Sequence, residues 1–154
     1  MAENVKKRLE GTNWFGLLSF GLFLILLGAI WMTTPNLTED VKAFVDSKNW
    51  HLENITENIA FPEPEKSHPI LYTAAMQFSF IFGALQIGIL ALRFAFHDSI
   101  NKKAETVSGI AFWFSISYFL NMLLDGLSFF GFIGGLIIAG GLAILASSVV
   151  KLFR

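Results

Sequence analysis

The chain has 154 residues, of which 54% are hydrophobic and 15% charged, with a formal net charge of −1 and no cysteine. The absence of cysteine excludes a disulfide framework, a thiolate metal site and a cysteine nucleophile. No basic cluster is large enough to indicate a nucleic-acid partner.

The apolar residues are collected in four blocks, each reaching the roughly 18 residues that a membrane-spanning helix requires. These blocks are residues 14–32, 70–96, 107–124 and 127–150. The sequence therefore predicts one all-α integral membrane domain. It is a bundle of four transmembrane helices with one long extracytoplasmic loop, residues 33–69, between the first and second spans.

The first block has the features of a retained signal anchor. Lys6, Lys7 and Arg8 precede it, which is typical of a segment whose amino terminus stays in the cytoplasm. A cleaved signal peptide is the competing interpretation, but the block is as long as a full span and no small-residue cleavage pattern follows it. Trp14 and Trp31 stand at its two ends, where interfacial anchors are expected.

Residues 33–69 form the sizeable polar region of the chain, with seven acidic residues against three lysines. A short amphipathic helix is predicted to follow Asn36, with these residues on one face: Val41, Phe44 and Val45. That face could dock on a partner, but packing over the mouth of the protein's own bundle is the preferred hypothesis. An extended segment is predicted at residues 50–61. Ser67, His68 and Pro69 then supply the cap and first-turn proline of the second span.

The second block, residues 70–96, separates into three faces when it is wound as a helix at about 100° per residue. Large apolar side chains suited to lipid form the first face: Phe78, Phe82, Leu85, Ile89, Leu92 and Phe96. A heptad stripe forms the second face: Tyr72, Ser79, Gln86 and Arg93. The third carries Thr73, Gln77, Ala84, Gly88, Ala91 and Ala95. Because unpaired polar groups are costly in hydrocarbon, the second and third faces are predicted to be buried, with this helix at the bundle's centre.

The third block, residues 107–124, follows a polar loop at residues 97–106 and has a polar side of its own. With the second span it predicts a polar interhelical cluster: Tyr72, Ser79, Gln86, Ser115, Tyr118, Asn121 and Asp125. Because the second and third spans run in opposite directions, matching their residues by depth in the bilayer places Tyr72 opposite Asp125 and Ser79 opposite Tyr118. The cluster could be a cleft for a small polar ligand or lipid headgroup. Interhelical hydrogen bonding, at about 0.6 kcal/mol per contact, is the preferred hypothesis.

The fourth block contains a ridge of small residues at four-residue spacing: Gly131, Gly135, Ala139, Ala143 and Ser147. Such a ridge lets two helix backbones approach closely. Packing within the chain is preferred over self-association as its role. The Asp125-Gly126 pair predicts a tight turn, which makes the third and fourth spans antiparallel neighbours.

The distribution of Lys and Arg predicts the orientation. Eight of these residues lie in the amino terminus, near the loop after the second span and in the carboxyl terminus, against three in the long loop. Both termini are therefore predicted to be cytoplasmic, in a multi-pass protein of the cell membrane. The lipid bilayer is its expected partner, together with a second copy of the chain or a membrane complex.

Catalytic chemistry has little support in the sequence. His51, His68 and His97 are far apart and show no metal-binding spacing, so no metal site is predicted. No nucleophile elbow, phosphate loop or dinucleotide fingerprint is present, so neither catalytic residues nor cofactors are predicted. Arg93 is interpreted as an anchor that snorkels to the headgroups, and Asp125 as a turn residue. An ion-coupled transporter normally needs an ionisable group deep in the bilayer, and the predicted spans offer none.

Several short segments resemble uncharacterised small archaeal multi-pass membrane proteins over roughly residues 30–120. They are His68-Pro69-Ile70-Leu71-Tyr72-Thr73-Ala74, Gln77-Phe78, Phe82-Gly83, Gln86-Ile87, Leu90-Ala91-Leu92-Arg93-Phe94, Lys103-Ala104-Glu105-Thr106 and Phe112-Trp113. The resemblance implies an archaeal source and a multi-pass architecture. It transfers no functional residue.

Three functional hypotheses remain in order of preference. The first is a non-enzymatic structural or accessory subunit whose outer loop and small-residue ridge contact itself or partners. The second is a small channel or facilitator with a neutral polar path between the second and third spans. A membrane enzyme is the third, since no residues resemble a catalytic constellation.

Overall fold

The computed structural model describes residues 14–57, 59–64 and 67–152, except for the side chain of Ser47. The basic residues that precede the first span lie outside this part of the chain. The long helices are α1 (Trp14–Thr33), α3 (Pro69–Ala95), α4 (Ile100–Leu124) and α5 (Phe129–Leu152). Between α1 and α3 come a short helix α2 (Leu37–Val45), a 3-10 turn (Ser47–Asn49) and the strands β1 (Trp50–Thr56) and β2 (Ile59–Pro64).

The four long helices are each long and apolar enough to cross a bilayer. They confirm a long apolar helix at each of the four predicted positions and indicate a multi-pass membrane protein. The boundaries of α3 agree with prediction within one residue, but α4 begins at Ile100 instead of residue 107. Hydropathy marks only the apolar part of a span, whereas the preceding Lys-Lys-Ala-Glu segment is made of good helix formers and extends the helix beyond it.

The long loop is folded, as predicted, into a short helix and an extended segment. β1 and β2 form an antiparallel hairpin in which Trp50 pairs with Pro64 and Leu52 with Pro62. Phe44 of α2 packs toward the bundle, but Val45, predicted to share its apolar face, is 73% exposed. Asn36 precedes α2 with φ of 60°, in the left-handed region that Asn tolerates, and makes no side-chain cap.

Each long helix packs mainly against its neighbours in the sequence, so that α3 meets α1 and α4, and α5 meets α4. The helix α3 has the largest set of buried residues among the described elements, which agrees with its predicted central position. The helix α1 has none. A Cβ added at Gly21 or Gly28 of this helix would meet no side chain or neighbouring helix within 4 Å, so neither glycine marks a close helix contact.

The structure corrects two of the three predicted faces of α3. Phe78, Phe82 and Ile89, predicted to face lipid, are buried. Gln77 and Gly88, predicted to be buried, are exposed, as are Ala84, Ala91 and Ala95. In a membrane both lipid and protein interior are apolar, so size and hydrophobicity cannot say which face a neighbouring helix covers.

An aromatic core joins α1, α3 and α4. The ring of Phe23 in α1 lies 5.1 Å from Phe78 and 5.5 Å from Phe82, both nearly edge-on. Trp113 of α4 lies 5.6 Å from Phe78 and 5.1 Å from Phe82. Such pairs add about 0.5–1.5 kcal/mol each beyond the area they bury. These contacts explain why the large apolar face of α3 points inward.

Candidate functional site

The heptad stripe of α3 is buried along its whole length. Tyr72, Ser79, Gln86 and Arg93 are between 2% and 8% exposed. A seven-residue repeat returns to nearly the same side of a helix, so one neighbouring helix can cover all four positions. The burial predicted for this stripe is confirmed.

At the Tyr72 end of the stripe, a carboxylate from α2 caps the amino terminus of α3. Asp40 Oδ2 accepts a hydrogen bond from the Leu71 backbone N–H at 2.8 Å. His68, 2% exposed, contacts Asp40 Oδ1 through Nδ1 at 3.0 Å. A carboxylate at this position also interacts favourably with the positive end of the helix dipole. The cap predicted from Ser67 is thus supplied by a residue about thirty positions earlier in the chain.

A second carboxylate from the hairpin caps α5. Glu63 of β2 accepts a hydrogen bond from the backbone N–H of Phe129, the first residue of α5, at 3.1 Å. Two different spans are therefore capped by side chains of the folded loop. This ties the loop to both α3 and α5.

Phe44 fills the centre of the surface between the loop and the bundle. Its ring lies 5.2 Å from Trp50, 5.4 Å from His68, 6.4 Å from Tyr72 and 6.2 Å from Phe129. The Trp50 indole N–H donates to the Phe44 carbonyl at 2.6 Å. We call this region, made of Asp40, Phe44, Trp50, Glu63 and His68, the outer cap.

The expected pairing of polar residues between α3 and α4 is replaced by a different one. Tyr72 lies beneath Phe44 of the outer cap, while Asp125 is exposed and accepts a hydrogen bond from Asn121 at 3.1 Å. Ser79 donates to the Ala75 carbonyl of its own helix, and Tyr118 is 61% exposed. Antiparallel helices place residues of equal depth at the same level, but depth does not determine the rotation of α4 about its own axis, which leaves Tyr118 exposed.

The interface between α3 and α4 is filled at three levels. Ser117 donates to the Met76 carbonyl at 3.2 Å. The Phe114 ring covers Gly83, and the Gln86 amide lies where a side chain on Gly109 would be. Ser115 is half-buried beside these contacts. This packing favours a closed interface over the predicted polar path between the two helices.

A groove of about 630 Å³ opens on the outside of the same pair of helices. Three exposed neutral polar side chains line it: Gln77, Tyr118 and Asn121. Its other walls come from Met76, Phe80, Ile81, Phe114 and Ser117. Gln77 lies about 12 Å along α3 from its first residue, at a rise of 1.5 Å per residue. We call this feature the outer groove, because it lies on the outside of the α3–α4 pair.

At the opposite end of the stripe, Arg93 belongs to a charged network instead of snorkelling freely. Its side chain is 6% exposed, and Nη1 lies 3.1 Å from Asp98 Oδ2. Lys102 Nζ lies 3.3 Å from the other oxygen of Asp98. The Arg93 guanidinium also stands 5.4 Å from the centre of the Phe15 ring. Asp98 therefore joins the ends of α3 and α4.

The small-residue ridge of α5 contacts α4. Gly135, Ala139 and Ala143 are buried, and an added Cβ on Gly135 would lie 2.5 Å from the Phe119 ring. Gly131 and Ser147 are half-buried at the two ends of the ridge. Within the described residues the middle of the ridge thus packs against α4, while the choice between packing within the chain and self-association stays a prediction.

Sequence reasoning did not single out Asp40, Glu63 or Asp98, the three carboxylates that tie the elements together. Asp98-Ser99 before a helix-forming segment is a local start signal that could have revealed the beginning of α4. Asp40 and Glu63 carry no such signal, because their partners are distant in sequence. No group of three or more His, Asp or Glu suited to a metal ion occurs in the described residues.

Comparison of the chain with protein families, with curated proteins and with solved structures finds no match. The geometry of the outer cap, the outer groove and the Arg93 network is therefore the basis for assigning a function.

Proposed function

We propose that this protein is a non-enzymatic structural or accessory subunit of a membrane assembly, in which a transmembrane helix of another subunit occupies the outer groove. The subunit sits in the cell membrane with both termini in the cytoplasm. The outer cap then stands on the external side, where it holds the amino termini of α3 and α5 in a fixed relation.

The observation that carries this proposal is the exposure of Gln77, Tyr118 and Asn121 on the outward side of two spans. Asn121 already donates a hydrogen bond to Asp125. A polar group left without a partner in hydrocarbon is costly, and the expected remedy for Gln77 and Tyr118 is a hydrogen bond to another helix. Polar side chains of this kind act as contacts between transmembrane helices. A groove of about 630 Å³ also offers shape complementarity to side chains of a second helix.

The outer cap supports a structural role from a second direction. Its carboxylates each satisfy a backbone N–H at a helix start, and its aromatic rings pack against one another. Groups occupied in this way contribute to stability by fixing the starts of α3 and α5. Rigid positioning of helix ends is the property that an accessory subunit supplies to an assembly.

The test is site-specific photo-crosslinking in native membranes from a photoreactive phenylalanine placed at Tyr118. We expect adducts with one defined membrane polypeptide, either a second copy of this chain or another subunit, identified by mass spectrometry. The matched control is the same amino acid at Ile137 of α5, which is 74% exposed and lies away from the groove. Lipid adducts alone at Tyr118, or the same proteins at both positions, would contradict the proposal.

A further inference from the structure

A second cleft, of about 330 Å³, opens at the end of the molecule where α3 stops and α4 begins. α3 forms its floor, and α1 and α4 form its walls. We call it the inner cleft. Arg93 lines it two residues before the end of α3, and Phe82 lines it about 16 Å deeper along the same helix, at 1.5 Å per residue.

The inner cleft is amphipathic along its length. Its deep part is lined by aromatic rings of α1 and α3, which are Phe20, Phe23 and Phe82. Its shallow part carries Arg93 of α3 and Glu105 of α4, with Gln86 between the two regions. A ligand that fits the whole cleft has a polar end near the membrane surface and an apolar end directed toward the bilayer centre.

Arg93 retains hydrogen-bonding capacity that its protein contacts do not use. A guanidinium carries five N–H donors in a fixed fork, and Asp98 engages Nη1. The Nε atom is buried and has no hydrogen-bond partner among the described residues. A buried unpaired donor is costly, and it is more costly on a charged group. Because Arg93 lines the cleft, the N–H groups that Asp98 does not engage can donate to oxygen atoms of a ligand bound there.

The charges on the two sides of the inner cleft are opposite. Arg93 on the floor is a cation, and Glu105 on the α4 wall is an exposed anion. A simple anion would contact Arg93 but would lie near two like charges, the carboxylate of Glu105 and that of Asp98, which pairs with Arg93. A headgroup with both an anionic and a cationic part is complementary to both residues.

We propose that the inner cleft binds a zwitterionic phospholipid. Its phosphate accepts hydrogen bonds from Arg93, its ammonium group lies by Glu105, and one acyl chain runs along Phe20, Phe23 and Phe82. The aromatic wall accounts for the apolar chain, which free phosphate lacks. The carboxylate accounts for the ammonium group, which an anionic phospholipid lacks.

The experiment uses the full-length protein in nanodiscs with equal amounts of dioleoyl phosphatidylethanolamine and dioleoyl phosphatidylglycerol. Lipids retained after extraction into mild detergent are counted by native mass spectrometry. We expect the ethanolamine lipid to be retained about fivefold more than the glycerol lipid, since one partly exposed ion pair separates them. Inorganic phosphate, added to delipidated protein, is expected to leave its thermal unfolding midpoint unchanged.

Glu105→Gln removes the charge while keeping the size of an exposed side chain, so the fold is expected to be retained. The preference between the two lipids should fall to about onefold in this variant. Glu39→Gln, at an exposed position of α2, is the matched control and should leave the preference unchanged. A preference that survives in Glu105→Gln, or a wild-type preference for the glycerol lipid, would overturn the proposal.

Ser19→Leu tests the cleft itself, because Ser19 lines it from α1 and a larger side chain there would occupy the space of the ligand. Retention of both lipids should be lost while the helical circular dichroism is unchanged. Unchanged retention would show that the lipids bind elsewhere on the surface. A midpoint raised by inorganic phosphate as much as by the ethanolamine lipid would show a phosphate site instead of a lipid site.

Discussion

At the scale of single residues, two acidic side chains of the loop join the loop to helices that lie far away in the sequence. Asp40 accepts hydrogen bonds at the start of α3, and Glu63 does the same at the start of α5. Asp40 also contacts His68, whose Nε2 atom is buried without a partner among the described residues. His68 Nδ1 lies 3.0 Å from Asp40 Oδ1, so one carboxylate contacts both the start of α3 and the residue that precedes it.

Replacing Asp40 by Asn should destabilise the protein by about 1–2 kcal/mol. The amide keeps the shape of the side chain and one acceptor, but it loses the negative charge at the start of α3 and the charge-assisted contact with His68. The measurement is the free energy of unfolding in a denaturing-detergent titration.

Glu39→Gln is the control for this variant, because Glu39 is the preceding residue on the same helix and is exposed. Its effect should stay within about 0.5 kcal/mol, as for most surface substitutions. Equal losses in the two variants would show that the charge on α2 matters only for the net balance of the loop and that the Asp40 cap contributes little.

At the scale of elements, each face of a span has a role that depends on its neighbour. The aromatic face of α3 is covered by α1 and α4, whereas the face with Gln77 and Gly88 remains exposed. On α5, one side of the small-residue pattern packs against Phe119, while Gly134 and Gly141 have open space around them. Gly134 and Gly135 are adjacent in sequence, but Gly135 packs against Phe119 and Gly134 has open space beside it.

Gly135→Ala should lower the free energy of unfolding by about 1–3 kcal/mol, the usual cost of overpacking. An added Cβ would meet the Phe119 ring at 2.5 Å, so α4 and α5 must separate. The measurement is again the detergent titration of unfolding.

Gly134→Ala is the matched control, because it makes the same chemical change one residue earlier on the same helix. Its Cβ meets no side chain or neighbouring helix within 4 Å, and alanine favours the helix by about 1 kcal/mol. This variant should be neutral or stabilising. If Gly134→Ala were as destabilising as Gly135→Ala, the ridge would not be the surface that holds α5 against α4.

At the scale of the whole molecule, the loop and the α3–α4 connection lie at opposite ends of a long helix. α3 has 27 residues, which corresponds to about 40 Å at 1.5 Å per residue. This exceeds the roughly 30 Å of the hydrocarbon core, so the hairpin and the start of α4 are separated by a full membrane thickness. The Lys and Arg count predicts that the hairpin is outside.

Single cysteines at Asn54 and Asn101 test this orientation in a chain that has no cysteine of its own. Both positions are exposed, one on β1 and the other in the first turn of α4. An impermeant maleimide should label Asn54→Cys in intact cells and Asn101→Cys only after permeabilisation. The reversed pattern would invert the predicted topology, and labelling of both from outside would contradict α3 as a span.

The sequence by itself determined the number of long apolar helices, the bounds of α3 within one residue and the burial of the Tyr72–Arg93 stripe, because length, hydropathy and a seven-residue repeat are local properties. It also predicted a folded loop and an intramolecular ridge on α5. Only the tertiary structure decided which face of α3 meets α1, how α4 is rotated, and that Asp40 and Glu63 cap distant helices. Those outcomes depend on contacts between residues far apart in the chain. In an apolar solvent, hydrophobicity does not distinguish a face covered by protein from one covered by lipid.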